Sequence, residues 1–127
     1  MQRQFVNGKI HRATVTDVHL DYEGSISVDV KLLEAVNIYP GEKVLIANLT
    51  NAARLESYCI AGKPGEICLN GGAAKYGKKG DLIIIMSFAL LTESEIKNHV
   101  PRVVRVNGEN QIVSVTSHPL ASFPPEV

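Results

Sequence analysis

Apolar and polar positions alternate with a period of two along much of this chain, so strands dominate the expected elements. In GKIHRATVTDVHL (residues 8–20), Lys9, His11, Ala13 and Val15 fall on one strand face, with Ile10, Arg12 and Thr14 on the other. KVLIANL (43–49) and RLESYCIAG (54–62) follow as strands, joined across TNAA, where Asn51 suits a turn. EICL, DLIIIMSFALL, RVVRV and QIVSV complete the set, and Asn107-Gly108 between the last two predicts a hairpin. Helices are few. Asp29 is a candidate cap for VKLLEAVNI, with Val28, Leu32, Leu33 and Val36 on one side and Pro40-Gly41 ending the run. Asn70-Gly71-Gly72 opens a brief helix through AAKYG, and Thr92 with Glu95 has the form of a capping box ahead of IKNHV, which Pro101 stops. The tail SHPLASFPPEV reads as an irregular arm, since Pro119, Pro124 and Pro125 suit neither helix nor ladder. No repeat or linker divides the pattern. The expectation is one domain, residues 1–127, a mainly-β barrel with small helices.

Composition narrows the classes of function. The 127 residues are 45% apolar and 20% charged, which suits a globule that buries a core without staples. Thirteen basic and thirteen acidic residues cancel, so no global field favours nucleic acid or an anionic membrane. Apolar runs are too short to span a bilayer as helices, and MQRQFVNGK has no signal-like apolar stretch, so a cytoplasmic location is expected. Cys59 and Cys68 match no zinc spacing and are expected to be reduced, packed thiols.

The stretch DYEGSISVDV (21–30) sets a Gly-Ser pair between an acidic, aromatic approach and what reads as the start of a helix. Gly-Ser is a common turn dipeptide, but it also has the order needed for self-cleavage. A serine hydroxyl can attack the preceding carbonyl, turning amide into ester, when a glycine keeps that carbonyl open and donors stabilise the intermediate. Elimination then expels the upstream carboxylate and leaves dehydroalanine, which hydrolyses to a pyruvoyl group and ammonia.

The blocks GKIHRATVT, YEGS, NLTNAARLESY, LNGGAA and GDLIIIMSF occur in an order and at spacings that resemble the pyruvoyl-dependent aspartate 1-decarboxylases, over residues 3 to about 106. The resemblance implies a double-psi β-barrel, a homotetramer with active sites between neighbouring subunits, and cleavage between Gly24 and Ser25 into residues 1–24 and 25–127. It implies a carboxy-lyase that converts L-aspartate to β-alanine and CO2 in pantothenate synthesis, through an imine on a pyruvoyl group made from Ser25, with no pyridoxal phosphate and no metal. A helper protein for maturation is compatible with it.

Residue by residue, the resemblance puts Tyr58 in the role of proton donor, although a barrel tyrosine otherwise packs its ring. Arg54, four residues earlier and so on the same strand face, has the planar fork for the carboxylate that aspartate keeps; a lone arginine is otherwise surface charge. Lys9 and His11 match a basic pair near the substrate, Lys9 holding a carboxylate and His11 orienting groups, though both also suit a solvated face. Gly71, Gly72 and Ala73 match a substrate-contacting segment after Asn70, with Gly72 standing where the family has alanine; a plain Asn-Gly turn is the alternative. Ser57 stands where relatives have threonine, for processing and substrate contact. Strict alternation sets Ser57 opposite Tyr58, so either a bulge re-aims one of them or they serve sites in different subunits. Tyr22 and Glu23 match the approach to the cleavage point, with Tyr22 lining the site, and Ala47 thins a wall where some relatives are aromatic. The contrasting readings are a non-catalytic barrel for binding or assembly, an uncleaved inactive precursor, and an enzyme acting on another small amino acid.

Overall fold

A computed structural model of the chain describes residues 1–121. Among the described residues nine strands form one curled sheet: β1 Arg3–Thr14, β2 Asp17–His19, β3 Ser25–Asp29, β4 Lys43–Asn48, β5 Arg54–Gly62, β6 Ile67–Asn70, β7 Leu82–Leu91, β8 Arg102–Val106 and β9 Ile112–Ser117. Their order across the sheet is β2-β6-β3-β5-β4-β7-β1-β8-β9. Three neighbouring pairs are parallel, β1 with β8, β2 with β6 and β3 with β5, and the others are antiparallel. The fold is the double-psi β-barrel expected. Ile10, Ile26, Val28, Ile46, Ile67, Leu69, Ile83 and Ile85 point inward and are fully buried. Leu32 and Leu33, on helix α1 (Val30–Ala35), close one end of this core. Each such side chain contributes on the order of 2 kcal/mol by leaving water.

The local signals explain most boundaries, and four of them act differently from the sequence expectation. Asp29 does cap α1, its carboxylate accepting from Lys31 N at 2.9 Å, but residues 25–29 before it are strand rather than the first turn of a helix. The helix also ends before Pro40. Asn37, at φ 56°, takes the left-handed position, and Ile38 N donates to Leu33 O at 2.9 Å while Asn37 N donates to Glu34 O at 3.2 Å. In β1 the register against β7 shifts between Ile10 and Ala13, with Arg12 at φ 64°. This bulge turns Ala13 and Val15 to the buried side that Ile10 occupies, so they do not share the face of Lys9 and His11.

The β8–β9 hairpin forms, but its loop runs over residues 107–111 and the left-handed residue is Asn110, φ 60°, rather than Gly108. Asn110 is buried and ties the loop to the barrel through Thr14 N at 2.8 Å, Thr14 O at 2.9 Å and Gly65 O at 3.0 Å. A 3-10 helix spans Gly71–Tyr76, and α2, Glu93–Ile96, carries the Thr92–Glu95 capping box but lasts only four residues. Ser117 belongs to β9, residues 118–121 have no regular structure, and the rest of the expected arm lies outside the described residues. Among the described residues no helix is long and apolar enough to cross a membrane.

Candidate active site

The approach to the Gly24-Ser25 linkage is a turn held from both sides. Tyr22 N donates to His19 O at 3.3 Å, and the Tyr22 ring stacks on His19 with centroids 4.6 Å apart. On the other side the backbone of Gly71 presses against residues 22–24. Gly71 has φ +59°, and a Cβ there would stand 2.6 Å from Tyr22 O and 2.7 Å from Gly24 N. Only glycine satisfies both the dihedral and the approach. Gly24 differs: its φ lies outside the left-handed region and a Cβ would meet nothing within 4 Å. Gly24 is exposed, so its service to the linkage is room around the backbone, with no unusual φ to store strain.

Ser25 opens β3, a strand buried along its whole length. Ile26 and Val28 point into the core, while Ser25, Ser27 and Asp29 take the alternate, polar face. β6 supplies the partners, with Ser25 opposite Asn70 and Ser27 opposite Cys68. Asn70 Nδ2 donates to Ser25 Oγ at 2.9 Å and to Ser27 Oγ at 3.0 Å, and Cys68 Sγ donates to Asn70 Oδ1 at 3.3 Å. Asn70 precedes the 3-10 helix, yet its side chain does not cap it; both amide hydrogens are directed at the serines.

A hollow lies on each side of the linkage. One, of about 330 Å³, is lined by Tyr22, Glu23, Ser25, Tyr58, Ile60 and Asn70. The other, of about 650 Å³, includes Gly24, Arg54, Ser57, Gly72, Ala73 and Tyr76 in its walls. β5 separates them. It pairs with β4 from Arg54 to Tyr58 without a register shift, so Ser57 and Tyr58 point to opposite faces and no bulge re-aims either. Arg54 and Tyr58 share the outer face as expected, and Ala47 sits opposite Arg54 across the pair. A third hollow of about 480 Å³, between Asp29 and the β8–β9 loop, lies at the far end of β3 and holds none of the expected site residues.

Lys9 and His11 are not brought to Ser25 within one chain. They lie on β1, separated from β3 in the sheet by β5, β4 and β7, and line neither hollow. Burial, then the positive charges of Lys9, Arg105 and Arg12, hold His11 below its ordinary 6.5. Its Nδ1 is buried without a partner among the described residues. Cys59 and Cys68 are buried free thiols, as expected, pushed up mainly by burial to about 12 and about 11. Sequence reasoning missed Ser27 and Cys68 as members of the site. The alternation Ser25-Ile26-Ser27-Val28-Asp29 was the available signal. Among the described residues no group of three or more His, Cys, Asp or Glu side chains could hold a metal ion.

Comparison with known proteins bears on the same residues. A family model described as aspartate decarboxylase matches residues 1–113. A Neisseria meningitidis protein named aspartate 1-decarboxylase is 52% identical over 120 residues, spanning 93% of this chain and 94% of its own length. Proteins of that name from Listeria monocytogenes and Staphylococcus aureus are each 51% identical, the first over 114 residues (88% of this chain, 90% of its own) and the second over 117 (91% and 92%).

Proposed function

The chain belongs to the aspartate decarboxylase family, and we propose that it cuts its own backbone between Gly24 and Ser25 and then removes the α-carboxylate of L-aspartate. The products are β-alanine, for pantothenate synthesis, and CO2. The observation that carries this reading is the setting of Ser25: a buried hydroxyl held by an amide donor, one residue after an exposed glycine, with a hollow on either side.

In the cleavage, Ser25 Oγ bonds to the Gly24 carbonyl carbon as the C–N bond breaks, and the hydroxyl proton passes to the nitrogen of residue 25. Loss of the residue-25 Cα proton then breaks the Cβ–Oγ bond, and Gly24 departs as a carboxylate. Water enters, ammonia leaves, and residue 25 keeps a ketone. A pyruvoyl group fits here, since the Asn70 donor faces the oxygen that must leave and the hollow of about 330 Å³ opens beside residue 25. That group supplies the electron sink for decarboxylation.

The remaining roles belong to ordinary side chains. Tyr58, in the hollow with Ser25, delivers a proton to the carbon that loses CO2. Arg54 grips the side-chain carboxylate through its fork. Ser57 and the backbone N–H groups of Gly72 and Ala73 line the substrate on the Gly24 side, and Gly71 behind them holds the turn over residues 22–24. Tyr22 walls the Ser25 hollow, and Lys9 with His11 reaches the substrate from a neighbouring copy in a cytoplasmic homotetramer. Intact mass of the chain before and after prolonged incubation tests the reading, together with phenylhydrazine labelling and CO2 release from aspartate. The expected result is two fragments, residues 1–24 and 25–127, the longer bearing the ketone, and a single inactive chain for Ser25→Ala. An uncut chain that still releases CO2 from aspartate would overturn it.

A further inference from the structure

Asn70 can lie in its site two ways round. As observed, the amide Nδ2 donates to Ser25 Oγ and Ser27 Oγ, and Oδ1 faces Cys68. Rotated by half a turn, Oδ1 would face both serines and accept their protons, and Nδ2 would face sulfur. The two orientations differ in what they do to Ser25. In the first, Oγ is held through a lone pair, its proton is free to leave, and negative charge developing on oxygen is met by an N–H. In the second, the hydroxyl proton is tied to a carbonyl and the same charge would be repelled.

The groups around the amide discriminate. Sulfur is a weak acceptor, so an N–H turned toward it would go largely unpaired in a site where Asn70 is 2% exposed. A thiol is a donor, and burial keeps Cys68 protonated. Ser27 takes the second amide hydrogen, completing both donors. Resting on the self-cleavage reading, we propose that Cys68 and Ser27 are positioning residues for chain maturation: the Cys68 thiol sets the Asn70 amide the right way round, and Ser27 locks it there. The same N–H then serves twice. It stabilises Oγ as its proton departs ahead of attack on the Gly24 carbonyl, and again as Oγ leaves with Gly24 in the carboxylate.

A pulse of cell-free synthesis of the full chain, chased on denaturing gels, measures maturation directly. Cys68→Val keeps the size but removes the donor, and Cys68→Ala does the same with a smaller side chain; cleavage is expected to slow about tenfold in each, as for one lost hydrogen bond. Cys68→Ser restores a donor and should mature within about threefold of the parent rate. Ser27→Ala should slow cleavage, and Ser27→Thr should rescue it. A packing role predicts the opposite order, with valine tolerated and serine harmful, and thermal melts of uncut chains made on a Ser25→Ala background separate folding losses from chemistry. Cleavage at the parent rate in Cys68→Val and Ser27→Ala overturns this inference and leaves self-cleavage standing. A parent chain that stays whole throughout the chase overturns both.

Discussion

Gly71→Ala should stall maturation, whereas the same change one residue on should not. At Gly71 the added Cβ would lie 2.6 Å from Tyr22 O, 2.7 Å from Gly24 N and 2.8 Å from Gly24 Cα, all backbone atoms that have no rotamer to change. The left-handed φ of +59° adds about 1–2 kcal/mol for an L side chain, and the overpacking adds roughly 1–3 kcal/mol. The combined strain of about 2–5 kcal/mol is a large part of a typical folding free energy. Two outcomes relieve it. Either the turn over residues 22–24 lifts away from Gly71, displacing Gly24 next to Ser25, or the strain remains and stability falls. At Gly72 the φ is ordinary and a Cβ meets nothing within 4 Å, so Gly72→Ala should be neutral or stabilise by up to about 1 kcal/mol. Pulse–chase gels and thermal melts read both variants. Strong slowing of cleavage in Gly71→Ala, with normal processing in Gly72→Ala, is the expected pair. A Gly71→Ala chain that matures at the parent rate and melts at the parent temperature would refute the close-approach argument.

Further outcomes can be checked independently. Tyr58→Phe should still be cut at Ser25 but turn over at least tenfold more slowly, measured as CO2 release per ketone. Cys59 and Cys68 are both buried with raised pKa, to about 12 and about 11, so a thiol-specific reagent should label neither until denaturant is added. Because folding lowers the pKa of His11, the unfolded chain binds a proton that the folded chain refuses below 6.5; stability should fall as pH drops through that value, and His11→Gln should flatten the melting-temperature profile. Co-assembly of Lys9→Ala chains with Tyr58→Phe chains should recover activity in about a quarter of sites if the two residues come from different copies, and none if one chain supplies both.

Much of the barrel is written in local patterns. β5 runs over the residues its alternation marks, because one side faces the core and the other does not, and β8 coincides with the β-branched run RVVRV. β3 escaped because Asp29 is a genuine helix cap, and a cap read backward makes the preceding residues look helical. The period-two pattern of Ser25 to Asp29 was present but polar residues on a strand face suggest solvent, and here that face is buried too. The bulge in β1 had no glycine to announce it, since Arg12 itself adopts the positive φ. Within the site, Gly24, Ser25, Arg54, Ser57 and Tyr58 were legible through the order of their motifs. Ser27 and Cys68 belong to no motif. Their part depends on the antiparallel register of β3 and β6, a long-range pairing that neither segment encodes alone. Lys9 and His11 show the reverse case: a motif named them, and the chain's own topology keeps them away from Ser25.

The buried polar face of β3 separates scaffold from chemistry. A barrel needs nothing there beyond small apolar side chains, since every polar group taken from water costs free energy until it finds a partner. At one end Asp29 is satisfied by fixed backbone donors, Lys31 N at 2.9 Å and Gly65 N at 2.8 Å, which start a helix and hold a loop. That is a structural use, and it accounts for the carboxylate in full. At the other end Ser25 Oγ meets no backbone donor among the described residues. It has one side-chain amide, which is itself held by a thiol and a second serine, so three polar groups serve to orient a single hydroxyl. Alanine at residues 25, 27, 68 and 70 would remove that desolvation cost without opening the core formed by Ile26, Val28 and Leu69. A fold selected for stability alone would lose the cluster, whereas one that must aim an oxygen at the Gly24 carbonyl has a reason to keep it.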